Sequence, residues 1–154
     1  MKRDENEGVE LLFLLGLGFQ TLLGEFTRRV ADAGYPDLRP VHGMAFQALQ
    51  GAGATATELA ERLGVTKQAA GQIVDDLEKR GYVRREPHPG GGRRKLVVLT
   101  QAARDHLAVA GRILHELEAE LGRGTDLTAL REGLGEVVRT FHGEGGLPPL
   151  RPVW

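Results

Sequence analysis

The sequence predicts a mainly α-helical fold carrying one small β-hairpin (α+β). Three observations predict it. Apolar residues recur at helical spacing through most of the 154 residues. The period turns strand-like in two short stretches, residues 82–85 and 95–99, which flank the loop Pro87-His88-Pro89-Gly90-Gly91-Gly92. Glycine and proline punctuate the chain between these segments. The length suits a single domain over residues 1–154, able to bury a core without covalent staples.

Taken in order, residues 8–31 predict a long first helix, stopped by Ala33-Gly34-Tyr35-Pro36. Its stretch 11–19 (LLFLLGLGF) holds nine residues with no polar side chain, so a helix there has no solvated face and needs cover on more than one side, a second chain being the expected cover. Residues 41–50 form a second helix, ended by Gly51-Ala52-Gly53. Thr55 and Thr57 offer N-caps for a short third helix carrying Leu59, Ala60 and Leu63. A turn at Gly64-Val65 leads to Thr66, the N-cap of a fourth helix over residues 67–80 that Gly81 closes. After the hairpin, Thr100 is placed to cap a long helix to about residue 121. Gly122-Arg123-Gly124 breaks it, and Thr125 or Asp126 starts a last helix to about residue 141.

Residues 57–81 (TELAERLGVTKQAAGQIVDDLEKRG) have the spacing of a helix-turn-helix. Leu59 and Ala60 face inward, Gly64 permits a positive φ at the turn, and Val65 plugs the angle between the helices. Ala70, Ile73, Val74 and Leu77 make one buried stripe, which leaves Gln68, Gln72, Asp75 and Lys79 outward. Gln68 and Gln72 lie one turn apart, where a helix in a major groove offers amides to base edges. Thr66 and Lys67, at the helix N-terminus, suit phosphate contact. Around the hairpin tip gather Arg84, Arg85, Arg93, Arg94 and Lys95, and arginine is the side chain a narrow minor groove favours.

Charge supports double-stranded DNA as a partner once it is divided. The whole chain is nearly neutral, with a formal net charge of −1. Residues 62–95 nevertheless hold nine basic and four acidic side chains, net +5, against eleven basic and seventeen acidic elsewhere, net −6.

Residues 41 to about 107, with TELAERLGVTKQAAGQIVDDLEKRGYVRREP and RRKLVVLT followed by a long helix, resemble the MarR (multiple antibiotic resistance regulator) family of winged helix-turn-helix regulators. The resemblance implies a winged helix-turn-helix over residues 51–100, dimerisation helices over 8–50 and 101–143, and a homodimeric repressor on a pseudo-palindromic operator. It further implies a recognition helix at residues 66–80 and a wing at 88–95. Family wings usually carry an aspartate two residues before the arginine; here Arg93 matches but Gly91 stands at the aspartate position, so the salt bridge that steadies the wing is missing.

The resemblance also implies a small aromatic or anionic ligand between the dimerisation and DNA-binding parts. Residues 35–44 join those parts, near Phe19 and Phe46 if the helices pack as expected. Arg39 is the candidate partner for an acid and His42 the candidate hydrogen-bonding group.

Other classes are disfavoured. The absence of cysteine removes disulfides, thiolate zinc sites and thiol redox sensing. His106 and His115 are nine positions apart, out of phase on a helix, so no metal and no cofactor is expected. No nucleophile elbow, phosphate loop or paired-carboxylate site points to an enzyme, and Asp75-Asp76 on the recognition helix read as sharpening specificity. The apolar stretch 11–19 is too short to span a membrane and lacks the flanks of a signal peptide, so a cytoplasmic protein with no membrane partner is expected. The alternative function is a winged-helix protein-interaction module without sequence-specific DNA binding.

Overall fold

A computed structural model describes residues 6–151. Among them the chain forms six helices and one antiparallel pair of strands. These are α1 Leu11–Asp32, α2 Pro40–Leu49, α3 Ala56–Leu63, α4 Lys67–Lys79, β1 Val83–Pro87, β2 Lys95–Leu99, α5 Gln101–Leu121 and α6 Leu127–His142. The mainly helical α+β class is as the sequence predicts, with boundaries shifted by one to three residues.

Local chemistry sets most boundaries. Pro40 at the first helical position starts α2, since its missing N–H is one the helix leaves unpaired anyway. Thr55, rather than Thr57, caps α3 in a reciprocal box: the Glu58 N–H donates to Thr55 Oγ1 at 3.2 Å, and the Thr55 N–H donates to Glu58 Oε2 at 2.8 Å. Thr66 accepts from the Ala69 N–H at 3.1 Å to open α4, and Asp126, not Thr125, accepts from the Ala129 N–H to open α6. Thr100 departs from expectation. Its hydroxyl donates to the Gly81 carbonyl at 2.7 Å, pinning the start of α5 to the end of α4 instead of capping its own helix.

The strand pair runs in register from Val83 opposite Leu99 to Pro87 opposite Lys95. A third rung was not foreseen. Ala54, between α2 and α3, exchanges backbone hydrogen bonds with Val97 at 2.8 and 3.1 Å. The neighbouring Gly53 (φ +82°) approaches so closely that a side chain there would strike the Val97 carbonyl. This rung ties the hairpin to the front of the helix-turn-helix.

The main core lies among α2, α3, α4, the hairpin and the start of α5. Phe46, Leu49, Leu59, Leu63, Val74, Leu77 and Val97 are its largest fully buried apolar side chains. A second, smaller cluster joins α1 to α5 through Val30, Ile113 and Leu117. The bidentate pair from Arg29 to Glu120, 2.7 Å on both arms, closes the end of that contact. His106 of α5 bridges the two cores, its ring 4.7 Å from Tyr35 and 5.3 Å from Phe46.

The apolar stretch of α1 is only partly covered by this chain: Leu14 and Leu15 are half-buried, while Leu11, Leu12, Phe13 and Leu17 are exposed. Helix α6 buries no residue and exposes Leu130, Leu134, Val137 and Phe141.

Two buried histidines make the fold acid-sensitive. His42 is fully buried in the first turn of α2. Its Nδ1 accepts the Arg39 N–H at 3.0 Å, which places the proton of the neutral ring on Nε2. That Nε2 stands 3.1 Å from Asp76 Oδ2 of α4 but out of line for a hydrogen bond. Burial lowers the His42 pKa from its ordinary 6.5, the Arg39 charge lowers it further, and Asp76 opposes them. Burial also lowers the pKa of His106, with a contribution from His42. Both rings therefore take up protons more readily when the chain is unfolded, so their contribution is whole above about pH 6.5 and is lost as the pH falls from there. The melting temperature is expected to fall between pH 7.5 and pH 5.5, with a shallower fall in His106→Phe than in the native chain. Equal slopes in thermal melts followed by circular dichroism would place the acid sensitivity elsewhere.

Candidate nucleic-acid interface

Helix α4 presents its outward face because Ala70, Val74 and Leu77 are buried beneath it. Gly64 at the end of α3 adopts φ +65°, the left-handed conformation expected of it, and the Val65 N–H bonds back to the Ala60 carbonyl at 3.0 Å. The turn thereby aims the N-terminus of α4 outward. Lys67, Gln68, Gln72 and Lys79 are exposed, and none of them has an ion pair or a side-chain hydrogen bond among the described residues. Thr66 is exposed as well, with its hydroxyl oxygen committed to the helix cap.

The basic residues of the hairpin divide into two groups. Arg84 lies 2.7 Å from Glu86 on the same strand. Arg85 reaches across to α4, pairing with Asp75 at 2.6 Å and Glu78 at 2.7 Å. Arg85 thus ties the hairpin to α4 while remaining partly exposed. Arg93, Arg94 and Lys95 are exposed and unpaired among the described residues.

The acidic residues complete the pattern. Asp75 and Glu78 hold Arg85, Asp76 holds Arg80 at 3.0 Å, and Glu86 holds Arg84. The Arg80 hydrogen bond keeps the Asp76 carboxylate below its usual pKa. All four acids of residues 62–95 are therefore consumed by neighbouring arginines. Asp75 and Asp76, read from sequence as sharpening specificity, are structural ties. What remains unpaired on this side is cationic: Lys67, Lys79, Arg93, Arg94 and Lys95.

Three of these cations converge. A cleft of about 230 Å³ opens between the N-termini of α3 and α4 and the hairpin, lined by Thr55, Thr57, Lys67, Arg85, Arg94 and Lys95. Two helix N-termini and basic side chains around one cleft suit a phosphate.

The hairpin tip carries Gly91 at the aspartate position, and His88 makes the hydrogen bonds of the turn. Its N–H donates to the Arg94 carbonyl at 3.2 Å, its carbonyl accepts from the Gly91 N–H at 2.9 Å, and its Nδ1 accepts from the Gly90 N–H at 2.9 Å. Gly91 and Gly92 both take φ near +77°, a conformation that disfavours aspartate.

The second predicted site lies between α1, α2 and α5. A crevice of about 350 Å³ is lined mainly by apolar side chains, among them Phe19, Leu22, Phe26, Met44 and Leu107, with Arg39 at its edge. Arg39, the candidate partner for an acid, lines this crevice. His42 does not: it is sealed in the core and spends Nδ1 on the α2 cap. Phe46 also lies in the core instead of the crevice. The ring that does line the crevice is His106, whose buried Nδ1 has no hydrogen-bond partner. Sequence reading considered His106 only as a metal ligand; its helical phase with Ala103 and Ala110, all on the inward face of α5, was the available signal. Among the described residues no cluster of three or more potential ligands fits a metal ion, and no helix is long and apolar enough to cross a membrane.

Comparison with known proteins is consistent with this geometry. The sequence model of the MarR family matches residues 37–94. An uncharacterized HTH-type transcriptional regulator of Bacillus subtilis (strain 168), YcgE, is 38% identical over 69 residues, which is 45% of this chain and 45% of that protein. The match therefore spans less than half the length of that relative. Among solved structures, the transcriptional regulator BldR from Sulfolobus solfataricus is 25% identical, with 90% of this chain and 99% of that one covered and a TM-score of 0.65. CouR from Rhodococcus jostii RHA1, solved with p-coumaroyl-CoA bound, shares the fold at a TM-score of 0.69 and 20% identity, covering 90% of this chain and 95% of its own.

Proposed function

On the match of residues 37–94 to the MarR family model, we propose that this chain is a MarR-type homodimeric repressor that reads a pseudo-palindromic DNA operator in the cytoplasm. The observation that carries the reading is the charge sorting around α4. Every acid of residues 62–95 is tied to an arginine, while Gln68 and Gln72 stand exposed among unpaired cations. Such a face attracts phosphates and leaves two amides to discriminate bases.

The contacts fall into three kinds. Gln68 and Gln72 read base edges from the major groove. Thr66, Lys67, Arg94 and Lys95, at the basic cleft and the start of α4, hold phosphates. Arg93 at the wing tip reaches the minor groove. Arg85 acts one step back, holding the wing against the recognition helix, and Arg84 is paired with Glu86 on its own strand. The protein-docking alternative has no comparable support in the family match.

The uncovered apolar faces of α1 and α6 are the dimerisation surfaces, each requiring a second copy for cover. With the dimerisation helices at residues 8–50 and 101–143 and the winged helix at 51–100, two recognition helices are set about one DNA turn apart.

The crevice takes a small apolar or aromatic acid. Its volume falls within the range of small-molecule sites, and Arg39 offers a cation among its lining residues. Its walls come from α1 and α5 on one side and α2 on the other. An occupant there biases the angle between the stalk and the DNA-reading part, which releases the operator.

Sequencing the genomic fragments retained by the purified protein tests DNA reading directly, with recovery of a shared inverted repeat expected. On that repeat, Gln68→Ala or Gln72→Ala is expected to cost about 1–3 kcal/mol and to relax preference at one position per half-site. Equal losses on cognate and scrambled duplexes, measured by fluorescence anisotropy, would remove base reading from these side chains. Replacing Arg93 by alanine is expected to weaken binding to every sequence and to lower the salt slope by about one unit per half-site. An unaltered slope would mean that the wing tip does not touch DNA.

A further inference from the structure

The C-terminal segment after α6 turns back onto the DNA-reading half. Gly143 and Gly146 take φ +90° and +88°, which lets the chain reverse. Residues 147–151 (LPPLR) then run without helix or strand pairing, and Pro148-Pro149 favours an extended, stiff conformation. This segment does not project into solvent. Pro149 and Leu150 line a groove on α2 and α3 together with Met44, Gln47, Arg62 and Leu63. Leu150 also lines the ligand crevice, at a point where Met44 and Gln47 border both spaces.

Arg151 supplies an anchor. Its Cγ, Cδ and Nε lie so close over Gly64 that a Cβ there would come within 2.6–2.8 Å of them. Gly64 is the turn of the helix-turn-helix. Arg151 therefore rests on the turn that aims α4 while Leu150 lines the crevice. Leu150 is still 63% exposed, so it lines the crevice without being fully seated in it.

We propose that residues 147–151 are a strap that docks in the α2–α3 groove of its own chain and gates the ligand crevice. Seating Leu150 in the mouth buries an apolar side chain that is otherwise wet, and a ligand entering past Met44 and Gln47 has to displace it. Because Arg151 lies on the helix-turn-helix turn, occupancy of the crevice is communicated to the DNA-reading half through the strap as well as through the helices. The gate rests on the reading of the crevice as a ligand site; the docking of the strap does not.

The absence of cysteine makes a clean test possible. In the full-length chain, Gln47→Cys combined with Leu150→Cys is oxidised mildly, and the product is separated without reductant. An intramolecular disulfide in most of the protein is expected. Covalent dimers would overturn docking in cis in favour of exchange between copies, and failure to cross-link would overturn docking altogether. Binding of 1-anilinonaphthalene-8-sulfonate, an apolar aromatic anion, is then measured on the cross-linked protein before and after reduction. At least tenfold weaker binding in the locked form is expected, and equal binding would overturn the gate. If the dye binds neither form while the cross-link is made, the ligand-crevice reading fails and the gate with it, and the docked strap stands. The single variant Leu150→Ser, which needs no disulfide, is expected to bind the dye several-fold more tightly than the native chain; unchanged affinity in a normally folded protein would also overturn the gate.

Discussion

The fully buried ring of Phe46 is the contact on which the rest of the structure depends. On one side it meets His106 of α5, and on the other Tyr82, 5.5 Å away, at the entry to the hairpin. Through His106 and Tyr35 the same chain of rings reaches the α1–α5 stalk. Helix α2 is therefore the piece against which the stalk, the helix-turn-helix and the wing are all set. A crevice wall, the first turn that buries His42, and the core beneath α4 belong to this one ten-residue helix.

That arrangement explains how a nearly neutral chain presents a cationic face. Charge is sorted by pairing as well as by position. Arg80, Arg84 and Arg85 neutralise the four acids of the DNA-reading segment and at the same time hold it together. Exposed pairs of this kind add little to stability. Their larger effect is on the field, because they leave Lys67, Arg93, Arg94 and Lys95 as the uncompensated charges. The clamp from Arg85 to Asp75 and Glu78 also ties the hairpin to α4.

Much of this was legible in the residues. The helix-turn-helix follows from local rules: small Ala60 and Ala70 where helices cross, Gly64 at a positive φ, threonine caps at 55 and 66, and a 3.6-residue apolar period in α4. These depend on neighbours a few positions away, which a sequence displays directly. The basic residues of the wing were visible for the same reason. The individual fates of those residues were not. Arg85 and Arg93 look alike in sequence, and only the placement of β1 against α4 decides that one is paired and the other is not.

By itself the sequence determined which segments are helical, where the turn falls, which face of α4 is outward and that no thiol chemistry operates, because each depends on local stereochemistry or plain composition. Tertiary structure alone decided that His42 is a buried capping group while His106 lines the crevice, that Arg85 is a clamp, that Ala54 adds a rung to the hairpin, and that Arg151 returns to Gly64. The physical reason is sequence separation. Arg85 and Asp75, His106 and Phe46, Arg151 and Gly64 are brought together by the packing of whole elements, and no periodicity along the chain encodes which distant side chain will be the neighbour.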